Sequence, residues 1–420
     1  MIQTDVTVIG GGAAGLVAGI SAAACGAGTI IVEHMDRVGK KLLATGNGKC
    51  NYTNALQGIS YYRGENPAFV LPVFEQFGLA ETLAFFEELG IYPKERNGYY
   101  YPASGQASSV LDVLRMEADY RKVDIYTSCE LQSVEKTGRG FRIRLEKDEI
   151  LTRTIIFATG LLASPKTGSD GTAFQHIEKL GHHFIDIVPA LVQLKGKQAF
   201  FKELAGIRAE MCMELYVDDA RICSECGELQ LTEYGISGIP VFQLSRFAVR
   251  ALRQNRRVCA RINFAPNMEE AGLSALLEKR FGENAHGKSA SEALIGLFNR
   301  KLSAVLLKES GIGLHAQAET VEKKQLQTLC GTIRNFRVDI VGSKGFEAAQ
   351  VCAGGVDTAE LDSRTLESKL VRGVYFAGEV IDIDGTCGGY NLQWAWSSGY
   401  VAGRHAGAKA LKIKAGKGAL

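Results

Sequence analysis

Two side chains in this sequence stand in motifs where they can move protons, Tyr390 and Cys50. Tyr390 lies in Gly388-Gly389-Tyr390-Asn391, a turn that opens a helix, where a phenol can donate a proton or stack on a ring. Cys50 lies in Gly48-Lys49-Cys50-Asn51. A thiolate there can act as acid, base or nucleophile, but the favoured reading is a small buried residue. Tyr101 is a second candidate donor or stacker, and Asn51 and Asn54 can bond a ring system or cap a turn. Cys223 and Cys226 form a CxxC between predicted strands, with no second pair or histidine cluster at zinc spacing. A structural role is favoured there, and no metal site is assigned. His176, His182 and His183 read as exposed, and no histidine receives a catalytic role.

These side chains need a scaffold. Residues 5–9 (DVTVI) are apolar and β-branched, which predicts a strand. Gly10-x-Gly12-x-x-Gly15 follows, then a small-residue helix over 16–25, a strand over 29–32 and Glu33. Gly10 permits the tight turn, Gly12 lets the backbone approach a pyrophosphate, and Gly15 lets the helix lie close to the strand. The helix start, with Ala13 and Ala14, offers N–H groups and the positive end of a dipole to phosphates. Glu33, 23 residues after Gly10, suits a ribose diol and repels a 2′-phosphate. This fingerprint predicts a dinucleotide without separating FAD from NAD.

The C-terminal part favours FAD. A predicted strand over 370–377 runs into Gly378 and Glu379. The pattern resembles the second FAD fingerprint of two-dinucleotide-binding-domain flavoproteins, in which an acidic residue holds the ribityl chain. Glu379 stands where Asp is usual, and Asp382 and Asp384 are nearby alternatives. A helix over 391–410 opens at Gly389, Tyr390, Asn391 and Leu392, and its N-terminus can face the flavin N1–C2=O edge. No second GxGxxG follows a strand in mid-chain, so NADH or NADPH binds without a Rossmann domain of its own.

Between these ends, residues 67–90 and 108–121 read as helices, and 125–157 as short alternating strands leading to Ala158-Thr159-Gly160. Residues 211–217 and 258–264 read as strands and 267–308 as helical. The expected organisation is α/β: an FAD-binding (Rossmann-like) domain over 1–190 and 345–420. It is interrupted by an inserted β-rich domain over 191–265 and 312–344 and a small helical domain over 266–311. Residues 412–417 read as a frayed, solvated end.

Bulk properties narrow the partners. With 48 basic against 46 acidic residues, the formal net charge of +2 gives no basic field for nucleic acid, so a small molecule is expected. No run of 18 apolar residues exists, and no membrane span is expected. The apolar N-terminus lacks a basic n-region and is not read as a signal peptide. The 10 cysteines are irregularly spaced, so no disulfide framework is expected and the setting is read as cytoplasmic. Oligomeric state stays open.

The chain resembles the HI0933-like flavoproteins nearly from end to end. The resemblance rests on Gly39-Lys40-Lys41 through Gly48-Lys49-Cys50-Asn51-Tyr52-Thr53-Asn54, on Tyr101-Pro102-Ala103-Ser104 and on Ala158-Thr159-Gly160. It continues through Pro189-Ala190-Leu191-Val192 and Thr232-Glu233-Tyr234-Gly235-Ile236-Ser237-Gly238 to Gly388-Gly389-Tyr390-Asn391-Leu392-Gln393-Trp394-Ala395-Trp396-Ser397-Ser398-Gly399. The family includes aminoacetone oxidases and bile-acid Δ4,6-reductases, and it implies a glutathione-reductase-type FAD-binding domain interrupted by an insert of β-barrel plus small helical domain. Lys49 replaces the usual Arg, which keeps charge but loses the bidentate fork. Leu161 replaces a usual Gly, and the stretch 167–171 looks shortened, which puts in doubt how closely that loop approaches the cofactor.

The motifs together mark Gly10, Gly12, Ala13, Ala14, Gly15, Glu33, His34, Lys40, Lys41, Gly48, Cys50 and Asn51 as FAD contacts. Ala158, Thr159, Gly160, Gly378, Glu379, Asp384, Gly389, Tyr390, Asn391 and Leu392 complete the set. The expected reaction is a two-electron hydride transfer at flavin N5. NAD(P)H-driven reduction of an activated C=C bond in a steroid or bile-acid enone is the first reading. Oxidation of a small amine such as aminoacetone with O2 is the alternative, and a flavoprotein with a non-catalytic binding role is the third.

Overall fold

The computed structural model describes residues 1–417, which divide into two units: Met1–Val188 with the segment from Gln350 onward, and Pro189–Ala349. The first unit is built on strands β1 (Ile2–Ile9), β2 (Thr29–Val32), β3 (Asp124–Tyr126), β4 (Glu149–Phe157) and β5 (Val374–Phe376). They form a parallel sheet in the order β3-β2-β1-β4-β5. Helix α1 (Ala13–Ala24) follows β1, and helix α2 (Tyr390–Lys417) closes the described chain. Strands buried on both faces need continuous apolar runs, and TIIV and IIF supply them. The nine residues of β4 serve two neighbours: residues 149–152 pair antiparallel with Gly140–Leu145, and 155–157 pair with β5. This is a Rossmann-type fold with an antiparallel extension. Ligands of such sheets bind at the carboxyl ends of the strands, where the turns at Gly10, Ala158 and Ala377 lie.

Helices α1 and α2 pack backbone to backbone. A Cβ on Gly399, Gly403 or Gly407 would stand 2.5, 2.3 and 3.0 Å from the carbonyl oxygens of Ala14, Ala18 and Ala22. The spacing of four residues on each helix places these partners on one face. The far end of α2 is also tied down. Lys414 Nζ donates to Asp5 Oδ2 at 3.1 Å, and Arg153 Nη1 bonds Asp5 Oδ1 at 2.6 Å. Residues 412–417 are therefore helical rather than frayed, because an ion pair anchors them.

In the second unit, Leu194–Gly196, Gly235–Ser237, Ala220–Thr232, Arg208–Val217, Val258–Asn263 and Phe336–Ser343 form a closed barrel in that order. Met211, Met213, Leu215 and Val217 alternate inward. The same hydrophobic core takes in Leu273 and Leu277 of Glu270–Phe281, Leu302 and Leu306 of Arg300–Glu309, and Leu329 of Lys323–Arg334. The helical run expected over 267–308 is cut into Glu270–Phe281, Ala290–Ala293 and Arg300–Glu309. The side chain of Ser289 accepts the N–H of Glu292, and that of Asn299 accepts the N–H of Lys301. These caps start new helices inside an apolar periodicity that reads as one.

Other expectations fail for local reasons. Cys223 and Cys226 lie inside one strand, and Cys226 forms a disulfide with Cys212 directly opposite on the neighbouring strand, Cα–Cα 4.0 Å. One cross-strand bridge is thus present where none was expected. His176 and His182 are buried, and only His183 is exposed. His182 Nε2 lies 2.8 Å from Ser368 Oγ, which accepts the N–H groups of Leu370 and Val371. That turn consumes the first residues of the strand expected over 370–377, leaving Val374–Phe376. Among the described residues, no single helix is long and apolar enough to cross a membrane.

Gly403→Leu is expected to destabilise the protein by about 3 kcal/mol or more, because the clash is with backbone. Gly272→Ala, where a Cβ meets nothing within 4 Å, is expected to gain up to about 1 kcal/mol of helix propensity. Thermal melts of the two variants check this, and equal melting temperatures would contradict the helix-contact account.

Candidate active site

The site in the first unit starts at the turn between β1 and α1. Gly10 has φ +104°, and a Cβ there would stand 2.5 Å from Ala158 O; one on Gly15 would stand 1.9 Å from Gly10 O. Gly12 differs, since a Cβ on it meets nothing within 4 Å. The chain leaves open room beside the helix start, and α1 carries no acidic residue in its first turn to neutralise the positive end. Such a cradle fits a pyrophosphate. Glu33 is pinned beside it, with Oε2 accepting the N–H of Gly11 at 2.8 Å and Oε1 that of Met35 at 2.9 Å. His34 bridges two carboxylates, Glu33 and Asp170, each at 3.3 Å. The loop over 167–171 lies against the residues after β2: a Cβ on Gly168 would stand 2.9 Å from Met35 Cγ and 3.4 Å from His34 Cε1.

A second group converges on the first turn of α1. A Cβ on Gly378, at φ +76°, would stand 2.7 Å from Ala14 Cβ. Lys41 Nζ lies 2.7 Å from Glu379 Oε2, while Glu379 Oε1 accepts the N–H of Cys352 at 2.8 Å. Gly160 faces Glu379 from the other side, 3.7 Å from its carboxylate as a Cβ would measure it. Lys40 points elsewhere and pairs with Asp36. Asp384 is buried in a two-residue bridge with Arg63, and Asp382 Oδ2 accepts the N–H of Glu65 at 2.8 Å.

Gly48, Cys50 and Asn51 follow the helix Lys40–Ala44. Gly48 and Cys50 are left-handed, at φ 81° and 57°, a conformation that a non-glycine residue adopts only under outside constraint. Cys50 is fully buried, and burial pushes its thiol up to about 12. It stays a thiol at neutral pH, which supports the reading of a small buried residue. Asn51 Oδ1 is buried without a hydrogen-bond partner, 3.0 Å from where a Gly389 Cβ would be. An orphaned acceptor at that turn is what an isoalloxazine N–H requires. The open cradle and this acceptor both fit FAD.

The first turns of α2 hold these loops in place. The Asn391 side-chain amide bonds both the N–H and the C=O of Gly385, each at 2.8 Å. Trp394 Nε1 donates to Gly378 O at 3.1 Å, and Ser398 Oγ accepts the N–H of Gly378 at 2.8 Å. Trp396 Nε1 donates to Tyr52 O at 2.9 Å. Gln393 accepts from Thr53 Oγ1 and donates to Thr82 Oγ1 and Ser397 Oγ. Asn54 Nδ2 donates to Gly388 O at 2.9 Å. Gln393, Trp394, Trp396 and Ser398 are absent from the sequence-derived site. The signal was available: polar and indole side chains in the first turns of a helix otherwise made of small residues need partners in the loops that helix covers.

Tyr390 is buried, and burial raises its phenol above the usual range, which holds it protonated. Its ring stacks on Tyr61, with Tyr62 at its edge. Tyr101 pairs with Lys94 in a hairpin alongside Tyr99, and burial raises both phenols.

Comparison with known proteins agrees with this geometry. The model of the HI0933-like protein Rossmann domain matches residues 4–405. The chain is 41% identical over 403 residues to the 3-dehydro-bile acid Δ(4,6)-reductase of Clostridium scindens, covering 96% of this chain and 98% of that one. It is 28% identical over 404 residues to a ribosomal RNA dihydrouridine synthase of Escherichia coli, covering 96% and 97%. Among solved structures, a variant of E. coli quinol fumarate reductase FrdA superposes with a TM-score of 0.50 at 14% identity, covering all of this chain and 72% of that one, a likeness of fold.

Cys50 is expected to resist iodoacetamide at pH 8, since its thiolate forms only near pH 12. Cys50→Ala is expected to keep bound FAD and its reducibility. Mass spectrometry of the alkylated native protein checks the first point, and rapid labelling of Cys50 would refute it.

Proposed function

We propose a reaction for this chain on one premise: it belongs to the HI0933-like family, and it is an FAD-dependent oxidoreductase. The proposed reaction is the NAD(P)H-driven reduction of a C=C bond conjugated to a carbonyl, in a small steroid-like enone of the 3-oxo-Δ4,6 bile-acid kind. The identity of 41% over 403 residues with the Clostridium scindens reductase carries this reading. The name of the E. coli relative points to the same bond type, because dihydrouridine is uridine with its carbonyl-conjugated ring C=C saturated. A free small substrate is favoured over RNA by the higher identity, and by a formal net charge of +2 that supplies no backbone-binding field.

FAD, when bound, supplies two-electron chemistry at N5. The residues of this chain bind and orient it. The Gly10–Gly15 turn offers N–H groups to the pyrophosphate, Glu33 offers a carboxylate to the ribose, and Lys41 adds positive charge beside Glu379. Asn51 offers its free acceptor to the ring system. Tyr390 is the proposed acid–donor group, held as a neutral phenol by burial. Cys50 is proposed as a packing residue beside the ring.

The flavin absorption band is expected to bleach on anaerobic addition of NADH or NADPH. It should return when a 3-oxo-4-ene steroid is added, without hydrogen peroxide. A band that persists against both nucleotides, with peroxide released when aminoacetone is the substrate, would replace this reading with the amine oxidase.

A further inference from the structure

Ser368, His182 and Glu360, none of them a proposed FAD contact, form a chain of hydrogen bonds within the first unit. Ser368 Oγ lies 2.8 Å from His182 Nε2, and His182 Nδ1 lies 2.8 Å from Glu360 Oε2. Serine, imidazole and carboxylate stand in the order of a nucleophilic triad, but Ser368 is 4% exposed and its oxygen is already engaged. It accepts the N–H of Leu370 at 3.0 Å and that of Val371 at 2.8 Å. A hydroxyl has two lone pairs and one hydrogen. With both lone pairs taken, the Ser368 hydrogen goes to His182, so Nε2 carries none. Nδ1 then holds the single ring hydrogen and donates it to Glu360. A proton added at Nε2 would face a hydroxyl with no lone pair left, on a side chain with 0% exposure.

The charged groups around the ring lie on its own loop and on two neighbouring segments. His183 is exposed and bonds Glu360 Oε1. The Asp357 carboxylate accepts the N–H of Ala359, and Lys369 Nζ donates to Ala359 O. From β5 comes only the Phe376 ring, centroid 4.8 Å away. Burial holds the His182 imidazole below its ordinary range against the pull of Glu360. Burial also opposes ionisation of Glu360, but bonds from His183 and His182 outweigh it, and its carboxyl stays below the usual range.

We infer that Ser368, His182 and Glu360 are a proton-operated latch: neutral His182 holds the turn over 368–371 closed, and protonation of His182 releases it. The turn is the entry to β5, since Ser368 N–H donates to Val374 O at 2.8 Å, and β5 runs into Gly378 and Glu379. Acid therefore loosens the approach to the C-terminal part of the proposed FAD site. The closed state disfavours the imidazolium, so the opened turn takes up the proton first as pH falls below about 6.5, and its stability falls with pH from there. His183 acts in the opposite sense: its bond to Glu360 raises it, which adds stability as pH falls. The latch itself does not depend on the flavin reading; its effect on the cofactor does.

The test uses the FAD-loaded protein with nitrogen-labelled histidine. At about pH 7.5 the His182 shifts should show a protonated Nδ1 and a bare Nε2. Hydrogen exchange at the Leu370 and Val371 amides, corrected for the intrinsic pH dependence of exchange, should quicken about tenfold between about pH 7.5 and about pH 5.5. Release of flavin should rise over the same range. His182→Gln should remove both pH dependences, and His183→Asn, which deletes the opposing group, should steepen them. The shifts and the exchange are read on the unmodified protein, so they decide the matter even if His182→Gln does not fold. A hydrogen on Nε2 of the neutral ring, or amides indifferent to pH, overturns the latch. So does a folded His182→Gln that keeps the acid response. Amides that open while flavin stays bound overturn the link to the cofactor. If the amides respond but the protein holds no flavin at any pH, the latch stands and the FAD reading falls.

Discussion

The carbonyl oxygens of Ala14, Ala18 and Ala22 leave no room for side chains on the helix that packs against them, and Gly399, Gly403 and Gly407 are the residues that meet them. Interiors are packed densely enough that one methylene is felt, and here a methyl group would meet backbone rather than a movable side chain. This contact fixes α2 against the dinucleotide helix. Ala14 sits at the junction, touching the Gly399 backbone on one side and the Gly378 position on the other. The start of α2, and with it Gly389 and Tyr390, is placed by the same contact that places the end of the proposed phosphate cradle.

From that position α2 acts as a frame for loops that have little regular structure of their own. Trp394 and Ser398 hold both polar groups of Gly378, Asn391 holds both of Gly385, and Trp396 and Gln393 reach Tyr52 and Thr53. Each loop carries a different part of the proposed FAD site. Losing one buried partner typically costs about 1–3 kcal/mol, and it also frees the loop. The stack of Tyr61 on Tyr390 extends the frame to a segment more than 300 residues away in sequence.

Where the chemistry was written in glycine spacing and apolar runs, the sequence was legible. The β1 turn, Glu33, the parallel strands and the place of the last helix all follow from local rules with one satisfying geometry. Three kinds of feature were not legible. Caps at Ser289 and Asn299 divide a helix that periodicity joins, because one hydroxyl or amide outweighs an apolar pattern at a boundary. Long-range partners such as Lys414 with Asp5, or Cys212 with Cys226, depend on register and on which chain ends meet. His182 reads as a surface residue until Ser368 and Glu360 are found on either side of its ring. Cys50 illustrates the limit at the site itself: its motif marks it, but its burial decides its chemistry.

The interruption of the first unit by residues 189–349 has a consequence for biosynthesis. Glu33 leaves the ribosome early, whereas Gly378, Tyr390 and Ser398 follow more than 340 residues later. At about 5–20 residues per second the cradle waits roughly 20 to 70 seconds for its covering helix. During that interval the barrel unit, whose strands are contiguous apart from the last, can complete most of its own core. The alanine face of α1, which α2 covers in the folded chain, has no partner until then. The two ends of the proposed FAD site, the β1 turn and the first turns of α2, therefore meet only late in synthesis.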